Sequence, residues 1–155
     1  NNRLMLHIVR TDSTHPDFHQ LIIPLDKELQ GLYGEEQAFF DQFNKVNMIR
    51  HVIIAYHEGQ PVGCGAIKEY AADVMEVKRM FVRPEVRGKR IGEAILAHIE
   101  ALAREEGFTR LVLETGSNFD AARRVYERGA FVTCDGVLDY PPSAWTAFYS
   151  KDLAA

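Results

Sequence analysis

The chain has 155 residues, 46% of them hydrophobic and 26% charged, the size and make-up of one globular domain with a single substantial core. A formal net charge of -4 argues against non-specific nucleic-acid binding, which neutralises phosphates with clustered Lys and Arg. Two distant cysteines, Cys64 and Cys134, no bilayer-length apolar run and no signal-peptide hydrophobic region in NNRLMLHIVRTD make a cytoplasmic location without a membrane partner the expectation.

Leu6 to Val9 reads as a first strand. From Asp17 to Tyr33 the pattern is helical, with Leu21, Leu25 and Leu29 at i, i+4, i+8, and Pro24 is expected to kink or divide the helix. A second short helix is expected over Glu35 to Phe43. HVIIAYHEGQPVGCGAIKEY reads as a hairpin turning at Glu58-Gly59, and Val74 to Val82 as the next strand, ended by Arg83-Pro84. The following helix carries an apolar stripe of Ile91, Ile95, Ile99 and Leu102 and stops at Gly107. Arg110 to Thr115 is a buried strand. Asn118 to Arg128 is an amphipathic helix with Ala122, Val125 and Tyr126 inward and Gly129 closing it. Two strands, near Phe131 to Cys134 and Trp145 to Lys151, end the chain. The order predicts one α/β domain with a mixed sheet covered by helices.

Arg87 to Gly92 lies between a strand and a helix N-terminus. Such an end has unpaired backbone N–H groups and a partial positive charge, which suits an anion. Gly88 and Gly92 let a phosphate approach the backbone, and Arg83, Arg87, Lys89 and Arg90 are expected to surround the turn. A Walker loop is excluded, because Gly88-Lys89 is followed by Arg90 and not by Ser or Thr. The Rossmann fingerprint fails as well: Gly63-Cys64-Gly65 has Lys68 at its third glycine position and no helix after it. Taken alone, RGKRIG is also compatible with a solvated basic turn. His15 and His19 are spaced i, i+4, yet Pro16 between them and the lack of an HExxH pattern make metal chemistry unexpected.

EVKRMFVRPEVRGKRIGEAILAHIEALAREEGF resembles the central motif of the GNAT superfamily of N-acetyltransferases, whose loop reads [QR]-x-x-G-x-[GA]. Arg87 and Gly92 fill its outer positions and Arg90 stands at its central Gly. LETGSNFDAARRVYERGAF is similar to the superfamily's other hallmark, an Asn followed by A-x-x-x-Y-x-x-x-G-F. Asn118, Ala122, Tyr126 and Phe131 carry that match, with Ala130 inserted after Gly129. The resemblance spans about Val52 to Leu153. It implies a mostly antiparallel sheet, helices on both faces, and a V-shaped opening between the Val74–Val82 and Arg110–Thr115 strands. The pantetheine arm of acetyl-CoA would lie there against Met80, Phe81 and Val82. Its pyrophosphate would rest on Arg87 and the amides of Gly88, Lys89, Arg90, Ile91, Gly92 and Glu93, with Asn118 nearby.

Acetyl transfer from acetyl-CoA to an amine needs a base for the ammonium, a donor for the oxyanion and an acid for the leaving thiolate. By the resemblance the oxyanion donor would be the Met80 backbone N–H and the acid Tyr126, whose alternative role is packing its ring on the sheet. Glu76 stands eleven residues before Arg87, the spacing of a catalytic Glu in some of these enzymes, and is the candidate base. A structural ion pair with Lys78 or Arg79 is its alternative. Polar residues on both faces of Val74–Val82 suggest a bulge or a cleft. Glu114, at the mouth of the opening, is the candidate contact for a cationic acceptor, and Tyr33, Asp139 and Tyr140 are placed in the acceptor pocket by position alone. The implied partner is a small-molecule or peptide amine, and dimers are common among similar proteins. A non-catalytic acyl-CoA-binding module that regulates a partner stays open here. A toxin-like acetyltransferase of aminoacyl-tRNA is disfavoured by the acidic net charge.

Overall fold

The apolar runs on either side of Glu58-Gly59 pair as β2 (His51–His57) and β3 (Gln60–Ala71). Both turn residues have positive φ, 50° and 78°, the twist that suits a two-residue hairpin. The computed structural model describes residues 5–33, 49–135 and 143–153. The helix expected over Glu35 to Phe43 and the pocket residues Asp139 and Tyr140 lie outside the described residues. Tyr33 is the last residue of helix α1 (Pro16–Tyr33), and its side chain also falls outside them. Pro24 sits inside that helix and does not divide it.

The remaining elements are β1 (His7–Thr11), β4 (Val74–Val82), α2 (Ile91–Glu105), β5 (Arg110–Gly116), α3 (Asp120–Arg128), β6 (Val132–Cys134) and β7 (Thr146–Asp152). One seven-stranded sheet runs in the order β1-β2-β3-β4-β5-β7-β6. Every neighbouring pair is antiparallel except β4–β5. Helices cover both faces. On one, the α2 stripe of Ile91, Ile95, Ile99 and Leu102, widened by Leu96 and Ala103, packs with Ile53, Val77, Leu111 and Leu113. On the other, Phe18, Leu21, Ile22 and Leu25 of α1 pack on Val52, Ile54, Cys64 and Phe81. Burying a side chain of this size contributes about 1.5–3 kcal/mol each, so these stripes dominate the folding free energy. Among the described residues no helix is long and apolar enough to cross a membrane.

Two departures from regular strand pairing shape the centre of the sheet. In β4 the register passes from Cys64 opposite Phe81 to Ala66 opposite Lys78, so Arg79 and Met80 both stand against Gly65. Arg79 takes a left-handed φ of 55°. This bulge reverses the alternation. Met75 and Val77 face α2, Met80 and Val82 also pack on that side, and Phe81 crosses to α1. Met80 and Val82 therefore do not share a face with Glu76 and Lys78, as regular pairing would require. A Cβ on Gly65 would lie 2.6 Å from Met80 Sδ and 2.8 Å from Ile99 Cδ1, so the glycine marks where the bulge and α2 close on β3.

The second departure is the splay. β4 and β5 pair only at Val74–Arg110, Met75–Leu111 and Glu76–Val112. Beyond that point β5 continues its ladder with β7 to Gly116, and β4 diverges. The strands open a wedge between Val77–Val82 and Leu113–Gly116.

Helix α3 starts at Asp120, leaving Asn118 in the preceding turn. It ends at Gly129, whose φ of -80° is ordinary; the left-handed residue is Ala130, at 67°. A Cβ on Gly129 would meet Leu96 Cδ2 at 2.9 Å, so that glycine serves the contact between α3 and α2.

Candidate active site

A cavity of about 670 Å³ fills the splay and runs to the N-terminus of α2. Its β4 wall is Glu76 to Val82 and its β5 wall is Glu114 to Gly116, and Tyr126 and Val125 of α3 line it as well. Of the residues singled out in the sequence, Glu76, Met80, Phe81, Val82, Arg87, Gly88, Arg90, Ile91, Gly92, Glu93, Glu114, Asn118 and Tyr126 all line this one space. Lys89 is not among its lining residues.

At the α2 end the geometry suits an anion. Gly88 has φ 80° and Arg90 has φ 67°, which turns the chain sharply into the helix. Arg90 is the N-cap and makes no side-chain cap hydrogen bond. Among the described residues the amides of Gly88 to Glu93 make no turn or cap bond to the backbone, and the ladder begins with Ala94 N–H donating to the Arg90 carbonyl at 3.1 Å. A row of donors at a positive helix end is a diphosphate cradle in form.

The cations are arranged differently from the expected ring. Arg83 Nε donates to the Pro61 carbonyl at 2.8 Å, turning back onto β3. Arg87 Nε donates to the Val82 carbonyl at 2.8 Å, and its guanidinium lies 5.6 Å from the Phe81 ring centroid. Arg124 and Arg128 of α3 line the cavity alongside Arg87 and Arg90. Arg128 reaches Glu93 at 3.2 Å, and Arg90 approaches the same carboxylate at 3.6 Å. Sequence reading passed over Arg124 and Arg128, although their i, i+4 spacing puts both on one face of α3.

At the floor of the splay three ionisable groups come together, Glu76 and Lys78 buried and Glu114 half-buried. Lys78 Nζ lies 3.5 Å from Glu76 Oε2, with the side chains 5% and 12% exposed. Burial pulls the Lys78 ammonium below its usual value, and Glu76 partly offsets this. Glu114 is pushed up to about 7, first by burial and then by the charge of Glu76, with Lys78 opposing. Tyr126 is buried against Phe131 and Tyr149, with ring centroids 5.9 and 6.0 Å away. Burial, then the charge of Glu114, raises its phenol well above the ordinary tyrosine value. The structural alternatives considered for Glu76 and Tyr126 are both present, since Glu76 pairs with Lys78 and Tyr126 packs against Tyr149 of the sheet.

Outside this cavity, His15 Nδ1 accepts from Asp17 N–H at 3.1 Å and His19 Nε2 lies 2.7 Å from the Ser13 carbonyl. The two imidazoles shape the start of α1.

Residues 15–131 match the model of the Acetyltransferase (GNAT) family. The chain belongs to that family. This acetyltransferase is 35% identical over 136 residues to an IAA acetyltransferase of Azospirillum brasilense, covering 86% of this chain and 89% of that one. It superimposes on an assigned acyl-CoA N-acyltransferase from Klebsiella pneumoniae with TM-score 0.81 and 30% identity, covering 97% and 99% of the two chains. The PaiA N-acetyltransferase of Thermoplasma acidophilum, solved with coenzyme A, shares the fold at TM-score 0.72 and 16% identity, covering 96% and 99%. Family and relatives make the chain an acyltransferase. The splayed, mostly antiparallel sheet is the fold that the sequence resemblance implied.

Proposed function

We propose that this acetyltransferase moves an acetyl group from acetyl-CoA to the primary amine of a small molecule or peptide, by direct attack in a ternary complex. The observation that carries the reading is the continuity of one cavity, from the Gly88–Glu93 amides to the ionisable groups at the base of the splay. A diphosphate at the first end directs a pantetheine arm along β4 toward the second. The coenzyme A held by the Thermoplasma relative supports the donor's identity.

In this reading the bulge supplies the oxyanion donor. Met80 stands in the bulge, outside the regular β3–β4 register, and its N–H serves the thioester carbonyl; a backbone donor is fixed before the reaction begins. Tyr126 stays neutral at every working pH because burial opposes its ionisation, so it acts as a constant hydrogen-bond donor to the leaving sulfur. In this reading a carboxylate at the floor of the splay takes the proton of the ammonium, and Glu114 is also the contact that holds the cation beforehand.

The direct test incubates the protein with acetyl-CoA and a panel of amino acids, polyamines, aminoglycosides and peptides while free thiol is measured, with calorimetry of CoA binding in parallel. Saturable CoA binding and amine-dependent thiol release are expected. Binding without thiol release on any amine would return the chain to a binding module.

A further inference from the structure

Among the described residues, the carboxylates around the splay are not all paired. Glu76 is matched by Lys78 at 3.5 Å. Asp26 of α1 is matched by Arg79, Oδ1 to Nη1 2.6 Å. Glu114, contributed by β5, has no ion-pair partner among the described residues and is the excess negative charge there. It lies two residues beyond Val112, the last β5 residue paired with β4. By strand alternation it shares the face of Val112, and it lines the cavity with Glu76 and Lys78. Tyr126 approaches from α3, close enough for the Glu114 charge to disfavour its ionisation.

We propose that Glu114 is the catalytic proton acceptor, that Glu76 clamped by Lys78 is a positioning residue that tunes it, and that the acceptor is an alkylamine arriving as its ammonium ion. This rests on the acetyl-transfer reading above. The physical ground is a division of labour between two carboxylates in unlike surroundings. The Glu76 carboxylate is already engaged by a fixed cation, the Lys78 ammonium 3.5 Å away. Glu114 is desolvated and faces a like charge, so it holds a proton until about pH 7, the range in which a base is most effective at neutral pH. The cation that its carboxylate lacks is the one that an ammonium substrate brings. Amides and hydroxyls, neutral at this pH, would not fill that place.

The chemistry balances as follows. The Glu114 carboxylate takes one proton from R–NH3+, and the freed lone pair forms a C–N bond to the thioester carbon. The tetrahedral intermediate collapses with cleavage of the C–S bond, and the electron pair leaves on sulfur. Sulfur gains the second nitrogen proton, by way of the Tyr126 hydroxyl. Amide and CoA thiol result, and Glu114 returns its proton to solvent.

The test uses the whole chain as wild type, Glu114→Gln, Glu114→Asp and Glu76→Gln, with saturating acetyl-CoA and whichever panel amine turns over fastest. Thiol release is followed from about pH 5.5 to about pH 9, with circular dichroism to confirm folding. Side-chain carboxyl shifts of 13C-glutamate-labelled protein are titrated without substrate. In the wild type, kcat/KM should climb about tenfold per pH unit to a bend near 7. Glu114→Gln should lower it about 10²- to 10⁴-fold with the Kd for CoA unchanged, and Glu114→Asp should recover part of that loss. Glu76→Gln should keep turnover within about tenfold and move both the bend and the Glu114 titration to lower pH, since a neighbouring negative charge is gone. Undiminished turnover in Glu114→Gln, inactivity of Glu76→Gln at every pH, or a Glu114 carboxyl titrating in the ordinary range each overturns the assignment while leaving acetyl transfer standing. A wild-type protein that neither binds CoA nor releases thiol removes the transfer reading and this one with it.

Discussion

Arg90 occupies a backbone conformation that an L side chain rarely adopts, φ 67° and ψ 22° at the N-cap of α2. It stands at the central glycine of the family loop and keeps the left-handed geometry a glycine would favour. A non-glycine residue there costs about 1 kcal/mol, and its exposed ion pair with Glu93 returns little. Arg90→Gly should therefore raise the urea midpoint by an amount equivalent to about 0.5–1 kcal/mol. An unchanged or lower midpoint would show that the arginine's contacts outweigh the strain. Tyr126 makes a different case, because its ring and its hydroxyl do separate things. Tyr126→Phe keeps the packing against Phe131 and Tyr149 and removes only the donor. It should lower kcat about 10²-fold or more while leaving the thermal midpoint within a few degrees. Equal turnover in steady-state assays would confine the residue to packing.

Among the elements, β4 shows best how far sequence reading reaches. Its bounds, Val74 to Val82, are legible because an apolar run between turn residues needs only local information. Its polar residues on both faces signalled a bulge, and the bulge is there at Arg79–Met80. What could not be read was its consequence, that Phe81 and Met80 exchange sides, because this depends on Gly65 of the neighbouring strand. Gly63-Cys64-Gly65 looked like a failed nucleotide fingerprint; its glycines are instead where α2 and the bulge approach β3 most closely. Gly65→Val would push into Met80 and Ile99. It should destabilise the fold by about 1–3 kcal/mol and weaken CoA binding at the same time, which denaturation and calorimetry on one preparation can compare. A loss of stability with full CoA affinity would separate Gly65 from the cavity. The basic ring around Arg87 was legible only in part, for a related reason. Sequence proximity shows that four cations lie near a turn, but not that Arg83 turns back to the Pro61 carbonyl or that α3 brings Arg124 and Arg128 to line the cavity beside Arg87 and Arg90.

For the molecule as a whole, the partly desolvated Glu114 costs stability at neutral pH. Its folded value of about 7 lies above the ordinary glutamate value of 4.5. Below pH 4.5 both states hold the proton and nothing changes. Between there and about 7 the unfolded chain releases it first, so stability falls as pH rises, and above 7 the loss is constant. Its size is about 3 kcal/mol at most. Glu114→Gln should therefore be more stable than the wild type at pH 8 and nearly equal to it at pH 4, as read by denaturant titration at both values. The difference between the two proteins isolates this group from carboxylates such as Asp12 and Glu105, which are held below their usual values and act in the opposite sense. A variant equally stable at both pH values would mean that the Glu114 carboxyl is not strained by burial.

Family, element order and the turn into α2 were all determined by the sequence by itself, because each depends on residues that are neighbours along the chain: the Gly88–Gly92 loop, the Ile91–Leu102 stripe, the Glu58-Gly59 hairpin. Only the tertiary structure decided that Glu76 pairs with Lys78 and that Glu114 shares their cavity. Glu76 and Glu114 sit on separate strands, and their mutual repulsion, desolvation and distance from Lys78 exist only once β4 and β5 have paired and then parted.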